Sequence, residues 1–328
     1  MDVRRGDDRF WRATVIMQLL PKVLCVVGPT SSGKTSLSLK LAKQFQGEII
    51  NADARQIYRS FDIGTGKPKG EWVEKEGRQT YVIEGVDHYL IDHLSPDQVS
   101  TAAEWKEQAM HCIHQIIARG HLPIVVGGTG LYVQSLIDNY DMPAVAPQPE
   151  LRERMASMAL DDLVKELQEI DPMSAETVDL KNPRRVMRAI EVARVTGESF
   201  RELRKKHAAV IDPLFIGIER SPEELRARIN QSIDRMLEEG WVEEVRALHT
   251  QGIPWGAPAM TSLGYREIGA FLRGEYSEEQ MIQKIRIYTW QYARRQMTWF
   301  RKEQRVQWIK GMEEVLALVE PWVKKIAE

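Results

Sequence analysis

Apolar runs and amphipathic stretches alternate over the first 140 residues. Residues 23–27 form a continuous apolar run, which indicates a strand buried on both faces, and residues 37–45 follow with apolar positions at helical spacing. Residues 48–53 predict a second strand ending in a carboxylate, and residues 123–126 predict a further buried strand. Strands that alternate with helices favour a parallel sheet whose ligands gather at the carboxyl ends of the strands.

A long amphipathic helix is predicted after residue 101. Thr101 and Glu104 have the spacing of a capping box, and apolar residues from Trp105 to Ile117 then recur at helical intervals. This helix fits between the second strand and the buried strand at 123–126, as a parallel sheet requires.

The pattern changes after residue 140. Three prolines between 143 and 149 resemble a linker, and residues 151–206 are helical in pattern without strand signals. Strand-like runs return at 214–218 and 306–309, with helices starting after the cap at Ser221 and spanning 277–302. We therefore expect a poorly ordered extension at 1–20, an α/β core of parallel strands at 21–140 and 212–328, and an inserted helical domain at 141–211.

Composition excludes several classes of protein. Lysine and arginine number 45 against 47 aspartates and glutamates, so the net charge of −2 rules out a uniformly basic nucleic-acid coat. The two cysteines lie in apolar settings, which argues against a disulfide framework or a cysteine zinc site, and the seven histidines have no metal-ligand spacing. No stretch approaches about 18 uninterrupted apolar residues, so we expect no membrane span.

Local charge is uneven despite the overall balance. Residues 181–206 and 284–305 each carry a net charge of +6. Aromatic residues interleave the second cluster, so it suits either a polyanion groove with base stacking or a helix with a buried aromatic face. Charge and composition alone leave both alternatives open.

An eight-residue phosphate loop follows the first predicted strand. Its glycines let backbone N–H groups converge on phosphate oxygens, its lysine supplies a positive charge, and its last hydroxyl suits Mg²⁺. The loop by itself does not distinguish a nucleoside triphosphate from another diphosphate. Its residues are Gly28, Pro29, Thr30, Ser31, Ser32, Gly33, Lys34 and Thr35.

Asp53 stands at the end of the second predicted strand, where a parallel sheet collects its ligand groups. From its position, the carboxylate suits a magnesium ligand, a general base or a helix cap. The polar, glycine-punctuated stretch from Gln56 to Pro68 is typical of a substrate loop.

Taken together, these motifs resemble those of the tRNA dimethylallyltransferases, also called tRNA isopentenyltransferases. The similarity extends from about residue 21 to 309. Besides the phosphate loop, it rests on residues 53–59, 62–65, 88–92, 126–132, 182–185, 263–267 and 294–301. This similarity implies a P-loop NTPase-like parallel sheet core with an inserted helical domain and a helical C-terminal region.

The resemblance implies transfer of a dimethylallyl group from its diphosphate to N6 of the adenosine immediately 3′ of the anticodon. Asp53 is then the expected general base, Thr129 lies at the reaction centre, and Lys34 stabilises the leaving diphosphate with the rest of the phosphate loop. Mg²⁺ is expected near Thr35, and Arg228 is expected to help bind the diphosphate.

The same resemblance implies contacts with the anticodon stem-loop of tRNA. The expected partners are tRNA and dimethylallyl diphosphate, for a monomer that acts in the cytoplasm and not at a membrane. The residues expected to contact tRNA are Asp53, Ala54, Arg55, Gln56, Arg152, Arg184, Arg185, Val186, Met187, Arg188, Gly264, Tyr265, Arg266, Arg294, Arg295 and Gln296.

Four positions depart from the usual family pattern: Ala54, Tyr89, Ser232 and Trp290 replace serine, histidine, arginine and arginine respectively. Three alternatives also stay open. A P-loop kinase for a small molecule predicts ATP turnover, and an NTP-driven RNA switch predicts nucleotide-dependent RNA affinity. Prenyl transfer to a free adenine nucleotide predicts activity without tRNA and without salt-sensitive RNA binding.

Overall fold

The computed structural model describes residues 20–75, 77–143 and 145–324. The predicted extension at 1–20 therefore lies outside the described residues, apart from Leu20.

A sheet of eight strands organises the described residues, in the order β3-β4-β5-β2-β6-β1-β7-β8. The six strands from β5 to β8 in this order pair in parallel, while β3 and β4 join through antiparallel pairing. The parallel-sheet prediction and the presence of all five predicted strands are thus confirmed, although the second strand ends at Asn51 and not at Asp53. The sequence analysis did not predict the β3–β4–β5 meander. The strands are β1 (Lys22–Val27), β2 (Gly47–Asn51), β3 (Glu71–Lys75), β4 (Arg78–Ile83), β5 (Val86–Tyr89), β6 (Leu122–Gly127), β7 (Asp212–Ile218) and β8 (Val306–Ile309).

Helices cover both faces of this sheet and extend beyond it. The capping box at Thr101 and Glu104 is present, with the Thr101 side chain accepting a hydrogen bond from the Glu104 amide. The helices are α1 (Lys34–Gln44), α2 (Ala102–Ala118), α3 (Gly130–Ile137), α4 (Pro149–Ala156), α5 (Leu160–Ile170), α6 (Pro172–Ala175), α7 (Pro183–Thr196), α8 (Pro222–Glu238), α9 (Trp241–Thr250), α10 (Tyr265–Leu272), α11 (Glu278–Lys302) and α12 (Met312–Lys324).

Two apolar layers hold the sheet. One layer packs α2, α3 and the end of α11 on one face, and the other packs α1 and α12 on the opposite face. Trp105 of α2 stacks on Tyr132 of α3 with ring centroids 4.8 Å apart, and its indole nitrogen donates to the Asn51 carbonyl 2.9 Å away. This contact anchors the end of β2, which leads directly into Asp53.

The helical segment from α4 to α7 has its own apolar core, built around residues such as Met155, Leu167 and Ile190. At its base, a bridge joins Tyr140 to Lys206, and the Asp138 carboxylate accepts from both Lys206 and Arg305. The predicted return of strand structure after this segment is confirmed by β7.

A fourth apolar cluster joins α8 to α11 with Ile57 and Phe61 from the loop after β2. Because this cluster buries the loop that follows Asp53, it carries the C-terminal helices to the carboxyl edge of the sheet. No helix in the described ranges combines the length and apolar composition needed to cross a lipid bilayer.

Candidate active site

The phosphate loop connects β1 to α1 in the conformation that its glycines permit. Gly28 and Gly33 have φ values of 140° and 103°, in a region that glycine occupies readily. Ser31 between them also has a positive φ, of 59°. The Lys34 ammonium donates to the Pro29 carbonyl at 2.6 Å, and the buried Ser32 hydroxyl has no partner among the described residues. An unpaired buried hydroxyl is costly, so this loop suits a ligand that supplies an acceptor or donor there.

Lys34 has an unusual protonation equilibrium. Burial lowers the pKa of its ammonium to about 8, because the charged form loses hydration, while the nearby Asp53 carboxylate opposes the shift. An anion bound in the loop favours the protonated form. Binding of an anion in this loop would therefore be coupled to proton uptake by Lys34 at pH values around 8.

Two guanidinium groups contact the phosphate loop from the segment after β7. Arg228 of α8 donates from Nε to the Ser31 carbonyl at 2.8 Å, and Arg220 reaches the Ser32 carbonyl at 3.4 Å. Arg228 also lines the cleft described below, where a diphosphate-binding arginine is expected.

Gln296 of α11 ties the phosphate loop to the loop after β6. Its side-chain oxygen accepts from the Thr30 amide and its side-chain nitrogen donates to the Gly128 carbonyl, each at 2.9 Å. A Cβ atom on Gly128 would lie 2.2 Å from that nitrogen, so only glycine allows the approach. The two loops are thereby held in a fixed relation.

Asp53 is oriented by a second set of contacts. Its amide donates to the Asn51 side chain at 3.2 Å, and its Oδ1 accepts from the Arg55 amide at 2.9 Å. The hydroxyl of Thr129, which follows β6, accepts from the Ala54 amide at 3.0 Å. Thr129 thus contacts the residue that follows Asp53, and its place at the reaction centre stays a prediction.

A cleft of about 1040 Å³ joins these parts. The phosphate loop, α8, the Asp53 loop and residues of α11 all contribute to its wall. The predicted site residues that line it are Thr30, Ser31, Gly33, Lys34, Thr35, Asp53, Arg55, Gln56 and Arg228.

Many predicted tRNA contacts lie at the surface. Arg184, Arg185, Arg294 and Arg295 have exposed side chains, and Arg266 is exposed beside Glu267. Met187 and Ala54 are partly buried, and Gly264 is buried with φ of 89° beside the Trp241 ring.

Arg152 and Arg188 take part in an internal network instead. Both donate to the buried carboxylate of Glu191, at 2.7 Å and 2.6 Å, and Arg188 also donates to the carbonyls of Pro143 and Val145. Much of their charge is therefore compensated within the protein.

Three further residues expected to contact tRNA have buried side chains, so direct side-chain contact must be corrected to internal packing for them. Val186 packs in the core of the α4–α7 segment because its helix turns that position inward. Tyr265 is fully buried and donates to Glu244, and Gln296 joins two loops as described.

The sequence analysis did not predict two residues that line the cleft, His88 and Tyr292. His88 of β5 is buried, and this burial lowers the pKa of its imidazole to about 4, so the ring is neutral at pH 7. Tyr292 lies one helical turn before Gln296, and burial beside Asp53 raises the pKa of its hydroxyl. Helical spacing from Gln296 is the signal that could have identified Tyr292.

The four departures from the family pattern occupy distinct settings. Ser232 lines the cleft and Ala54 contributes its amide to Thr129. The Tyr89 hydroxyl donates to Glu48 at 2.5 Å, and the Trp290 ring lies 5.9 Å from the Arg226 guanidinium.

The chemistry of the donor groups fits a magnesium ion that is held mainly by a bound diphosphate. Within the described ranges no group of three or more histidine, cysteine, aspartate or glutamate side chains could hold a metal. Mg²⁺ commonly keeps several waters and takes few protein ligands besides substrate phosphates, and the exposed Thr35 hydroxyl in the cleft suits that arrangement.

The sequence is similar to one known family over most of its length. The family model described as IPP transferase matches residues 56–303. A tRNA dimethylallyltransferase of Thermomicrobium roseum is 43% identical over 290 residues, which cover 87% of this chain and 85% of the relative. A tRNA dimethylallyltransferase of Acetivibrio thermocellus is also 43% identical, over 301 residues, with 90% and 93% covered.

Solved structures agree with this similarity. A tRNA isopentenylpyrophosphate transferase from Staphylococcus epidermidis is 36% identical with a TM-score of 0.65, covering 93% of this chain and 99% of that one. A eukaryotic dimethylallyltransferase acting on tRNA is 25% identical with a TM-score of 0.75, covering 93% and 80%. The predicted P-loop NTPase-like α/β fold is thus confirmed.

Proposed function

This chain belongs to the IPP transferase family, and from that premise we propose that it is a tRNA dimethylallyltransferase. Its substrates would be dimethylallyl diphosphate and the adenosine immediately 3′ of the anticodon, and its products N6-isopentenyladenosine and diphosphate. The observation that carries the proposal is that Lys34 of an anion-binding loop and Asp53 line the same cleft.

The reaction needs a base because the exocyclic amine of adenine is a weak nucleophile. As the bond from N6 to the allylic carbon forms, the bond from that carbon to the diphosphate oxygen breaks and its electron pair leaves with the diphosphate. Asp53 accepts the N6 proton that is lost. The hydrogen bond from the Arg55 amide to Oδ1 fixes the orientation of the Asp53 carboxylate, which supports this role.

The phosphate loop binds and stabilises the leaving diphosphate. Lys34 and the Arg228 guanidinium supply positive charge, and the backbone amides at the start of α1 supply donors. Thr35 would help hold Mg²⁺, which when bound neutralises negative charge on the diphosphate. The arginines near the cleft suit a polyanionic partner.

We also propose the finer points that the sequence suggested. Residues 141–211 would act as an inserted domain that contacts the anticodon stem-loop, and the protein would act as a monomer in the cytoplasm. The target adenosine would leave its stack to reach the cleft, which requires less free energy in a loop than in a duplex.

The test combines purified protein with Mg²⁺, labelled dimethylallyl diphosphate and unmodified tRNA whose anticodon is followed by adenosine. We expect label in the tRNA, and its loss with Asp53→Ala. AMP serves as the control acceptor and should remain unlabelled.

Other outcomes would redirect the assignment. Label in AMP alone would favour transfer to a free nucleotide. No label in either acceptor would contradict prenyl transfer, and accompanying ATP turnover would favour the kinase or the RNA switch.

A further inference from the structure

The side-chain amide of Gln56 has a fixed orientation in the cleft wall. Its nitrogen donates to the carbonyl oxygens of Thr65 and Gly66, at 3.2 Å and 3.1 Å. A carbonyl oxygen can only accept a hydrogen bond, so the nitrogen must be the atom that faces these two groups. The oxygen Oε1 is left without a hydrogen-bond partner among the described residues.

The two carbonyls belong to a loop that a buried ammonium holds. Lys67 donates from Nζ to the Tyr58 carbonyl at 2.7 Å, to Asp62 at 2.6 Å and to Asp92 at 2.5 Å. Its side chain is 1% exposed, so all three donors are bonded away from water. Moving this group would leave the buried Lys67 ammonium unpaired, together with the mostly buried Asp92 carboxylate, and this disfavours another loop conformation.

The same cluster also fixes the backbone of Gln56. The Asp92 amide donates to the Gln56 carbonyl at 2.9 Å, and Asp92 Oδ2 accepts from the Trp72 indole nitrogen at 3.1 Å. From α9, Glu244 accepts from the Ile63 amide at 2.8 Å. The backbone of Gln56 and the loop that its side chain contacts are therefore both held in place. The side-chain amide cannot turn over, so the position of Oε1 always presents a hydrogen-bond acceptor.

We propose that Gln56 is a specificity-determining residue whose Oε1 accepts a hydrogen bond from the exocyclic amine of the target base, and that Lys67 is the positioning residue for it. The inference rests on the proposed function, because a base must enter the cleft. An exocyclic amine carries two N–H bonds: one proton is lost to Asp53, and the other stays in the product and suits an acceptor. Inosine has a carbonyl in place of this amine, so its carbonyl oxygen and Gln56 Oε1 would be two acceptors facing each other without a proton to share.

Equilibrium binding to anticodon stem-loops tests this without any prenyl donor. One stem-loop carries adenosine after the anticodon and the other carries inosine. We expect the wild-type Kd to be about tenfold higher for inosine, as for loss of a hydrogen bond with an unpaired acceptor left behind. Gln56→Leu should bring the ratio of the two Kd values close to one.

Two further variants separate specificity from structure. Gln231→Leu makes the same change elsewhere in the cleft wall, and should keep the wild-type ratio. Lys67→Met should lower the ratio, whereas a purely structural role would weaken binding of both stem-loops equally. If Lys67→Met does not fold, Gln56→Leu still decides the specificity role.

The inference is overturned by a wild-type ratio near one, by no measurable binding of either stem-loop, or by a ratio unchanged in Gln56→Leu. Failure of the proposed function is recognised separately, as no transfer of label by the wild-type protein to the adenosine stem-loop.

Discussion

Lys34 and Asp53 share a cleft but differ in what surrounds them. Lys34 is enclosed by the phosphate loop, where burial holds the pKa of its ammonium near 8. Asp53 has one oxygen bonded to the Arg55 amide, while its other oxygen has no hydrogen-bond partner among the described residues. A lysine that binds an anion and a carboxylate with a free oxygen suit charge stabilisation and proton transfer respectively.

Replacing Asp53 should separate chemistry from binding. We expect Asp53→Asn to lower kcat by about 10²–10⁴-fold, because the amide cannot accept the N6 proton. The Kd for tRNA should change little, since the loop geometry is kept. Single-turnover transfer and equilibrium tRNA binding measure the two effects, and equal losses in both would contradict a role as the base.

The pKa of Lys34 predicts a pH-dependent affinity for diphosphate. Below about pH 8 the free protein carries the ammonium, and above it the charge is lost. Affinity for inorganic diphosphate should therefore fall as pH rises from 7 towards 10. Calorimetric titration across this range should show the fall in wild-type protein, while Lys34→Met should bind weakly with no inflection near pH 8.

Loops at the edge of the sheet depend on contacts from distant elements. Gln296 of α11 bonds both the Thr30 amide and the Gly128 carbonyl. The phosphate loop and the loop carrying Thr129 are therefore positioned by a helix that begins more than a hundred residues later. This dependence makes α11 part of the catalytic structure.

Gln296→Leu tests that dependence. The substitution leaves the buried Gly128 carbonyl and the partly buried Thr30 amide unpaired, at about 1–3 kcal/mol for a buried group that finds no other partner. We expect a lower free energy of unfolding and weaker diphosphate binding. Thr298→Ala, an exposed change on the same helix, should affect neither urea denaturation nor diphosphate titration.

A buried ion cluster stabilises the sheet near the start of β2. Burial opposes ionisation of Glu48, but hydrogen bonds from Arg119, Tyr89 and His121 prevail and lower the pKa of its carboxyl to about 2. Since the unfolded pKa lies near 4.5, this stabilisation is complete above that pH and is lost as pH falls towards 2.

We expect Glu48→Gln to reduce the free energy of unfolding by about 3 kcal/mol at pH 7, because Arg119 loses a buried partner. The wild type should lose stability between about pH 4.5 and 2 more steeply than the variant. Urea denaturation at several pH values measures this, with the exposed Glu84→Gln as a control that should change stability little. A parallel pH dependence in the two proteins would contradict the role of Glu48.

The charge that a segment presents on the folded molecule differs from the net charge counted along its sequence. Five of the nine basic residues in 181–206 form ion pairs: Arg185, Arg188, Arg194, Arg201 and Lys206. Several of their partners lie outside that segment, so its net charge of +6 overstates the field that a polyanion meets. Exposed arginines without such partners are better candidates for phosphate contacts.

Arg184 and Arg154 provide a matched comparison. Arg184 has no ion-pair partner in the described ranges, whereas Arg154 pairs with Glu166 at 3.0 Å. Arg184→Ala should weaken tRNA binding and reduce the slope of log Kd against log salt by about 0.7–0.9. Arg154→Ala should leave the slope unchanged, and a similar loss in both variants would argue against a phosphate contact by Arg184.

Local patterns were sufficient for the strands of the central sheet, the capped α2 and the phosphate loop. In each case the deciding interactions are between residues close in sequence. The spacing of apolar residues predicts the strands, a side chain three residues away caps the helix, and glycines between β1 and α1 permit the loop conformation. The β3–β4–β5 meander was missed because its short strands, one of them exposed at the sheet edge, lack a strong apolar period.

Only the tertiary structure decided which polar groups meet and which are taken up internally. The contact of Gln296 with Thr30, the pairing of Arg152 with Glu191, and the hydrogen bond from the buried Lys67 to Asp92 all join residues that are distant in sequence. Such contacts arise when apolar packing brings the elements together, and hydrogen-bonding groups buried by that packing must then find partners. The sequence motifs therefore identified where along the chain the reactive groups lie, and the packing of the elements determined which partner each side chain contacts.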